Sequence, residues 1–172
     1  MDFVPAVLLA AAAAAAISDL ATGKISNWLS YSVAGIALLL NALNGPIAGV
    51  VALAVMAAVL AASFPIFSFG LLRGGDVKMI VACCGLLSYH FFGQFIVYTM
   101  LSGGFVAVIA AWRYGTLKRS LSSVGATLHP LLFGVTPSAL PFTTNKMPYG
   151  VAIFGGAALT VLAMTTVPAL RL

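Results

Sequence analysis

Long apolar runs, separated by short gaps that hold most of the charges, dominate this chain and leave it few ways to fold. About 20 apolar residues carry a helix across a bilayer, so 172 residues leave room for around six crossings and no separate soluble domain. The chain is 62% hydrophobic and 6% charged, whereas a soluble domain carries about 25% charged residues. We therefore expect an all-α, polytopic membrane protein, one domain over residues 1–172, with about six transmembrane helices.

The first helix is expected from about Phe3 to Ile17. Asp2 stands where a signal peptide would carry a basic segment, which favours a retained helix. Its seven consecutive alanines allow close approach of neighbouring backbones. After a polar bend, Trp28 suits an interfacial anchor and opens a second helix to about Leu43. Asn44-Gly45-Pro46 breaks the chain, and a third helix runs from about Ile47 to Phe67, passing Pro65. A fourth, about Val77 to Tyr89, is short for a crossing, which places Asp76 near lipid depth.

The chain is expected to turn around His90 and Gly93, with a fifth helix from about Gln94 to Trp112. Leu117, Leu121, Val124 and Leu128 then recur at helical spacing among polar residues, the pattern of a helix lying on the membrane surface. Pro130, Pro137 and Pro141 suit a loop or re-entrant segment rather than a regular helix. The sixth helix spans about Tyr149 to Val167. Cys83 and Cys84 are adjacent in an apolar run and read as reduced packing residues.

The net charge is +5, with eight Lys or Arg against three Asp and no Glu. Basic residues in short inter-helix gaps set orientation, a better account here than nucleic-acid binding. Lys24, Arg73, Lys78, Arg113, Lys118, Arg119 and Lys146 fall on one side, and Arg171 on the other. The positive-inside rule makes the first side cytoplasmic and places both termini outside, with the surface helix on the cytoplasmic face. Asp19 and Asp76, remote in sequence, then share the cytoplasmic edge.

An Asp at the centre of a membrane helix costs about 2.5 to 3.5 kcal/mol to insert, so Asp76 calls for a reason. Gly74 and Gly75 before it remove side chains and are expected to let another segment, or a substrate backbone, come close. Two carboxylates in a poorly solvated place cannot both ionise cheaply and tend to share a proton. The charged one can take a proton from water while the neutral one donates to a peptide carbonyl. The plainer alternative is that each Asp caps a helix, worth about 1 kcal/mol at an N-terminus. That account is awkward for Asp19, whose charge at a helix end opposes the dipole. Two Asp and two scattered His do not form a convincing metal-ligand cluster, and no cofactor is expected.

Gly75-Asp76-Val77-Lys78, preceded by Gly74, resembles the Gly-x-Gly-Asp signature of type IV prepilin peptidases. Asp19 followed by Ile25 and Asn27 is similar to that family's first motif, an Asp with Ile-Pro-Asn after five residues. Met147-Pro148-Tyr149-Gly150-Val151-Ala152 looks like the Pro-Tyr-Gly-x-Ala start of its last helix. With the six-helix plan, the resemblance covers nearly the whole chain. Arg73 stands where the first glycine of the signature belongs, and Ser26 replaces the proline of Ile-Pro-Asn. The first departure narrows backbone freedom beside Asp76 or places a cation near it.

The resemblance implies a bacterial inner-membrane aspartyl endopeptidase that removes the leader from prepilin or pseudopilin precursors at the cytoplasmic face. It implies Asp19 and Asp76 as catalytic residues and the pilus assembly machinery as partner. Larger members carry paired Cys-x-x-Cys motifs and also methylate the new N-terminus. Their absence points to the small Flp/Tad-type branch, without methyl transfer. Gly74, Gly75, Lys78, Lys24 and Asn27 are expected to shape the site or bind substrate; for the two lysines, orientation of the chain is the competing role. The rival readings are a small proton- or cation-coupled transporter with the acids as a relay, and a non-enzymatic assembly subunit.

Overall fold

A computed structural model describes residues 3–68, 72–113 and 148–166, and all of the regular structure there is helical. The expected surface helix and the proline-rich stretch after it lie outside the described residues. One compact unit comprises residues 1–103 and 148–172; a second covers 104–147, of which 104–113 are described as a helix end.

Helix α1 (Val4–Thr22) begins with a proline in its first turn, where the missing N–H costs nothing. It ends on Gly23, whose φ of 67° is the left-handed cap that glycine adopts readily. Helix α1 runs a turn beyond the expected end and carries Asp19 inside its last turn. Helix α2 (Asn27–Leu43) and helix α3 (Pro46–Ser68) form a hairpin through Asn44 and Gly45, the latter at φ 131°. Pro65 is accommodated inside α3.

Helix α4 (Gly74–Arg113) replaces the two helices expected on either side of His90 and Gly93. Helical residues run without a break from Gly74 to Arg113, but the axis folds back. Ile80, Thr99 and Met100 line one cavity of about 270 Å³ together with Tyr149, whereas a straight helix would set Ile80 and Thr99 about 28 Å apart. The reversal keeps the expected up-and-down course without a separate loop. Helix α5 (Tyr149–Thr166) is the last of the described helices.

The first half of α4 is the centre of the core: Val77, Met79, Ile80, Val81, Ala82, Cys83, Cys84, Leu86 and Leu87 are all buried. A helix apolar on every side belongs in such a position. Helix α1 packs chiefly on α5, with Ala15 and Ala16 against Gly150, and buries Leu8, Ala11 and Ala12 as well. Small residues also bring α5 against the second half of α4, where Gly155 meets Ser102 and Gly156 meets Thr99. With little hydrophobic drive between helices in lipid, such close backbone approach supplies the packing.

Among the described residues, four segments are long and apolar enough to cross a membrane: Val4–Thr22, Pro46–Ser68, Phe91–Ala110 and Tyr149–Thr166. Asn27–Leu43 is apolar but shorter, so the expected six is met approximately. Phe64, Leu53, Val50, Phe105, Val108 and Trp112 are exposed on the outside of these helices, a surface suited to lipid rather than water.

Candidate active site

Three helix ends converge at one edge: the last turn of α1 and the first turns of α4 and α5. Asp19 comes from α1, where its charge faces the unfavourable end of its own helix dipole. The start of α5 compensates. The backbone N–H of Gly150 donates to Asp19 Oδ2 at 2.8 Å, and N–H groups in a first helical turn have no partner inside the helix and favour an anion. A Cβ on Gly150 would lie 2.8 Å from the Ala15 carbonyl oxygen, 2.8 Å from Asp19 Cβ and 3.0 Å from Ala16 Cα. Only glycine lets the start of α5 settle this closely on α1.

Asp76 is the third residue of α4, and its Oδ2 accepts from the Arg73 backbone N–H at 3.2 Å. The Val77 N–H donates to the Arg73 carbonyl at 3.1 Å, so Asp76 forms the carboxylate half of a capping box. Capping thus describes its local bond but leaves its burial unexplained. Asp19 and Asp76 are each only 4% exposed, although a cap functions equally well at the surface. Asp76 lies before the apolar span of its helix, and burial pushes its carboxyl from 3.8 up to about 6. The bond from Arg73 opposes that rise, the negative charge of Asp19 adds to it, and the Arg73 guanidinium opposes it again. The two carboxyls therefore lie within electrostatic reach of one another.

Two contacts join the aspartate-bearing segments. Arg73 Nη1 donates to the Gly23 carbonyl at 2.7 Å, and the Gly23 N–H donates in turn to the Asp19 carbonyl at 2.7 Å. A Cβ on Gly75 would lie 2.9 Å from the Ile25 carbonyl oxygen. Gly75 was expected to make room for a substrate backbone; here the Ile25 backbone of the chain itself occupies that space. Gly74 is less confined, with only the Phe67 ring at 3.7 Å from its would-be Cβ.

The remaining site-shaping candidates lie nearby but face elsewhere. Lys78 Nζ donates to Asn27 Oδ1 at 3.1 Å and to the Tyr31 hydroxyl at 3.0 Å, and stands over the Tyr31 ring at 5.1 Å. Lys78 and Asn27 thus pin α4 to the first turn of α2. Lys24 is exposed, and its carbonyl accepts from Ser18 Oγ at 3.1 Å and Thr22 Oγ1 at 3.0 Å. Among the described residues, the cation that acts on Asp76 is Arg73.

Tyr149 lies within electrostatic reach of Asp76 and borders the cavity that Leu72 and Ile80 also line. Ile80 is one turn beyond Asp76 on the same helix face. The donor role of Gly150 and the reach of Tyr149 were not foreseen from sequence. Their signal was the Met147 to Ala152 segment, which marked a helix start without revealing what that start would touch.

Residues 6–111 match the model of the type IV leader peptidase family. The chain belongs to that family. The matched stretch includes both aspartates, Arg73 and the Gly74-Gly75 pair, while α5 lies beyond it. No curated protein and no solved structure gives a match to the chain. Family membership makes the protein a protease acting on prepilin-type substrates in a bilayer, in keeping with its apolar helices.

Proposed function

We propose that this leader peptidase is a membrane aspartyl endopeptidase in which Asp19 and Asp76 form one catalytic dyad. The observation that carries the reading is the convergence of two buried carboxyls, each steadied by a backbone N–H, at a single edge of the helix bundle. With one proton shared between them, the ionised member takes a proton from a water molecule as its oxygen attacks the peptide carbonyl carbon. The protonated member gives its proton to the carbonyl oxygen. Collapse of the tetrahedral intermediate breaks the C–N bond: the amine leaves with a proton from one carboxyl, and the other carboxyl takes a proton back from a hydroxyl of the intermediate, which restores the shared proton. Because coupled groups titrate as a pair, acid and base are assigned to the dyad jointly.

The substrate on this reading is a prepilin or pseudopilin precursor of the Flp/Tad type, cut at the cytoplasmic face of a bacterial inner membrane. Both chain termini lie on the opposite side. The pilus assembly machinery receives the product. Cys83 and Cys84, the chain's two cysteines, are adjacent and buried, and so do not resemble the paired motifs of the methylating members. Cleavage without methyl transfer follows from that difference.

A relay for transported protons or cations would need acids along a route through the bilayer. Asp19 and Asp76, the acids among the described residues, stand at one edge instead. Incubating the purified protein with a prepilin and S-adenosylmethionine tests the proposal. Wild type should release the leader, Asp19→Asn and Asp76→Asn should insert but release none, and the mature N-terminus should stay unmethylated. Leader release by either variant would refute the dyad, and methyl transfer would refute the branch assignment.

A further inference from the structure

We propose that Arg73 is the positioning residue of this site, a strap that holds the Asp19 end of α1 against the Asp76 start of α4. The inference rests on the dyad reading above and concerns how the dyad is held. One residue reaches both aspartate-bearing segments. Its backbone N–H donates to Asp76 Oδ2 at 3.2 Å, while its guanidinium donates to the Gly23 carbonyl at 2.7 Å. Gly23 closes the turn that carries Asp19, through its N–H to the Asp19 carbonyl at 2.7 Å. Arg73 itself is exposed, so the strap lies on the outer side of the site and acts through the aspartates.

The chemistry of the side chain separates its two contributions. Glycine at this position, as in the family signature, keeps the backbone bond to Asp76 but loses both the reach to Gly23 and the charge. Glutamine keeps an amide donor without the charge. Lysine keeps the charge on a flexible point donor in place of a planar fork. The close contact of Gly75 with Ile25 persists in all three variants, so the helix ends should loosen rather than separate.

Among the described residues, the titratable groups that bear on Asp76 are Asp19 of α1, Tyr149 of α5 and Arg73 before its own helix. Lys78 and Tyr31 of α2 are engaged with each other, and the sequence of α3 contains no titratable residue. Removing the guanidinium therefore takes away the cation that favours the ionised carboxyl. The pH at which the dyad loses its shared proton should rise.

Cleavage of a prepilin by purified wild type and the variants R73K, R73Q and R73G, measured across pH, tests this. We expect R73G to lower kcat roughly three- to tenfold, as for loss of one partly solvated charged hydrogen bond, with little change in KM. The alkaline limb of its kcat/KM profile should move to higher pH. R73Q should share that move while keeping more of the rate, and R73K should keep the limb of wild type. Wild-type rate and an unmoved limb in both R73G and R73Q would overturn the strap, as would a loss confined to KM. If R73G fails to insert, R73Q and R73K are read by the same criteria. Asp19→Asn and Asp76→Asn run alongside: leader release by either would sink the dyad itself, whereas silence of both beside a normal R73G sinks the strap alone.

Discussion

The edge where α1, α4 and α5 meet and the α2–α3 hairpin are both made of apolar helices, yet different physics holds each of them. At the edge, backbone meets backbone: a Cβ on Gly150 or Gly75 would lie under 3.0 Å from a neighbouring carbonyl oxygen. Directed N–H groups fix each carboxyl. The hairpin buries Val33, Ala37, Ala52, Val55 and Val59 and meets α4 through Asn41, whose Nδ2 donates to the Gly85 carbonyl at 3.1 Å. Gly35 of α2 has nothing within 4 Å of a would-be Cβ, and Gly49 meets Ala42 at an ordinary 3.4 Å. The difference teaches where precision is needed. The open, outward side of the hairpin, where Gly35 lies, tolerates change, while an edge that must aim two carboxyls does not.

Substitutions should expose that contrast most strongly at Gly150. Gly150→Ala pushes the start of α5 away from Asp19, and a displacement approaching 1 Å at a reacting group costs about 100-fold. Leader release should fall by about that factor in single-turnover assays. Gly75→Ala should follow with about a tenfold loss, because one carbonyl rather than three atoms must yield.

The pH profile sharpens the same comparison. With Asp76 raised to about 6, the free enzyme should lose activity as pH rises through that value and the shared proton departs. The limb in kcat/KM should therefore fall near pH 6, and the limb in kcat higher, since substrate expels more water. The sign for stability follows from the same shift. A carboxyl whose folded value is raised contributes stability fully below its ordinary value, 3.8 for Asp76. That contribution is lost as pH rises through about 6. Thermal unfolding of wild type should show this slope, and Asp76→Asn should flatten it.

Smaller effects belong to the periphery and the hairpin. Lys78→Ala removes exposed bonds to Asn27 and Tyr31 and should lower stability by no more than about 1 kcal/mol. Gly35→Ala should be neutral or stabilising by up to about 1 kcal/mol, as for glycine in a helix interior with free space. If Gly35→Ala harmed cleavage as much as Gly150→Ala, the contrast between edge and hairpin would be broken.

Much of this was legible in the sequence because lipid makes polar residues expensive. Asp19 and Asp76 stood out against long apolar runs, and the helices followed from run length and from breaks at Gly23, Gly45 and Pro46. What stayed hidden depends on tertiary approach. Nothing local says that the Gly150 N–H will offset the dipole conflict at Asp19, or that Ile25 will use the space beside Gly75. Arg73 looked like a departure from a motif, and its reach to Gly23 appears only once two helix ends meet. The fold-back of α4 was read as a turn because apolar length alone cannot tell a loop from a helix that bends.

The central claim is that Asp19 and Asp76 act as a unit, and a double-variant comparison tests it most directly. Residual leader release would be measured by long single-turnover incubation for Asp19→Asn, Asp76→Asn and the protein carrying both changes. Groups that work as one are strongly non-additive, so the double variant should be no slower than either single variant. Losses that multiply, or appreciable turnover in one single variant, would contradict the account.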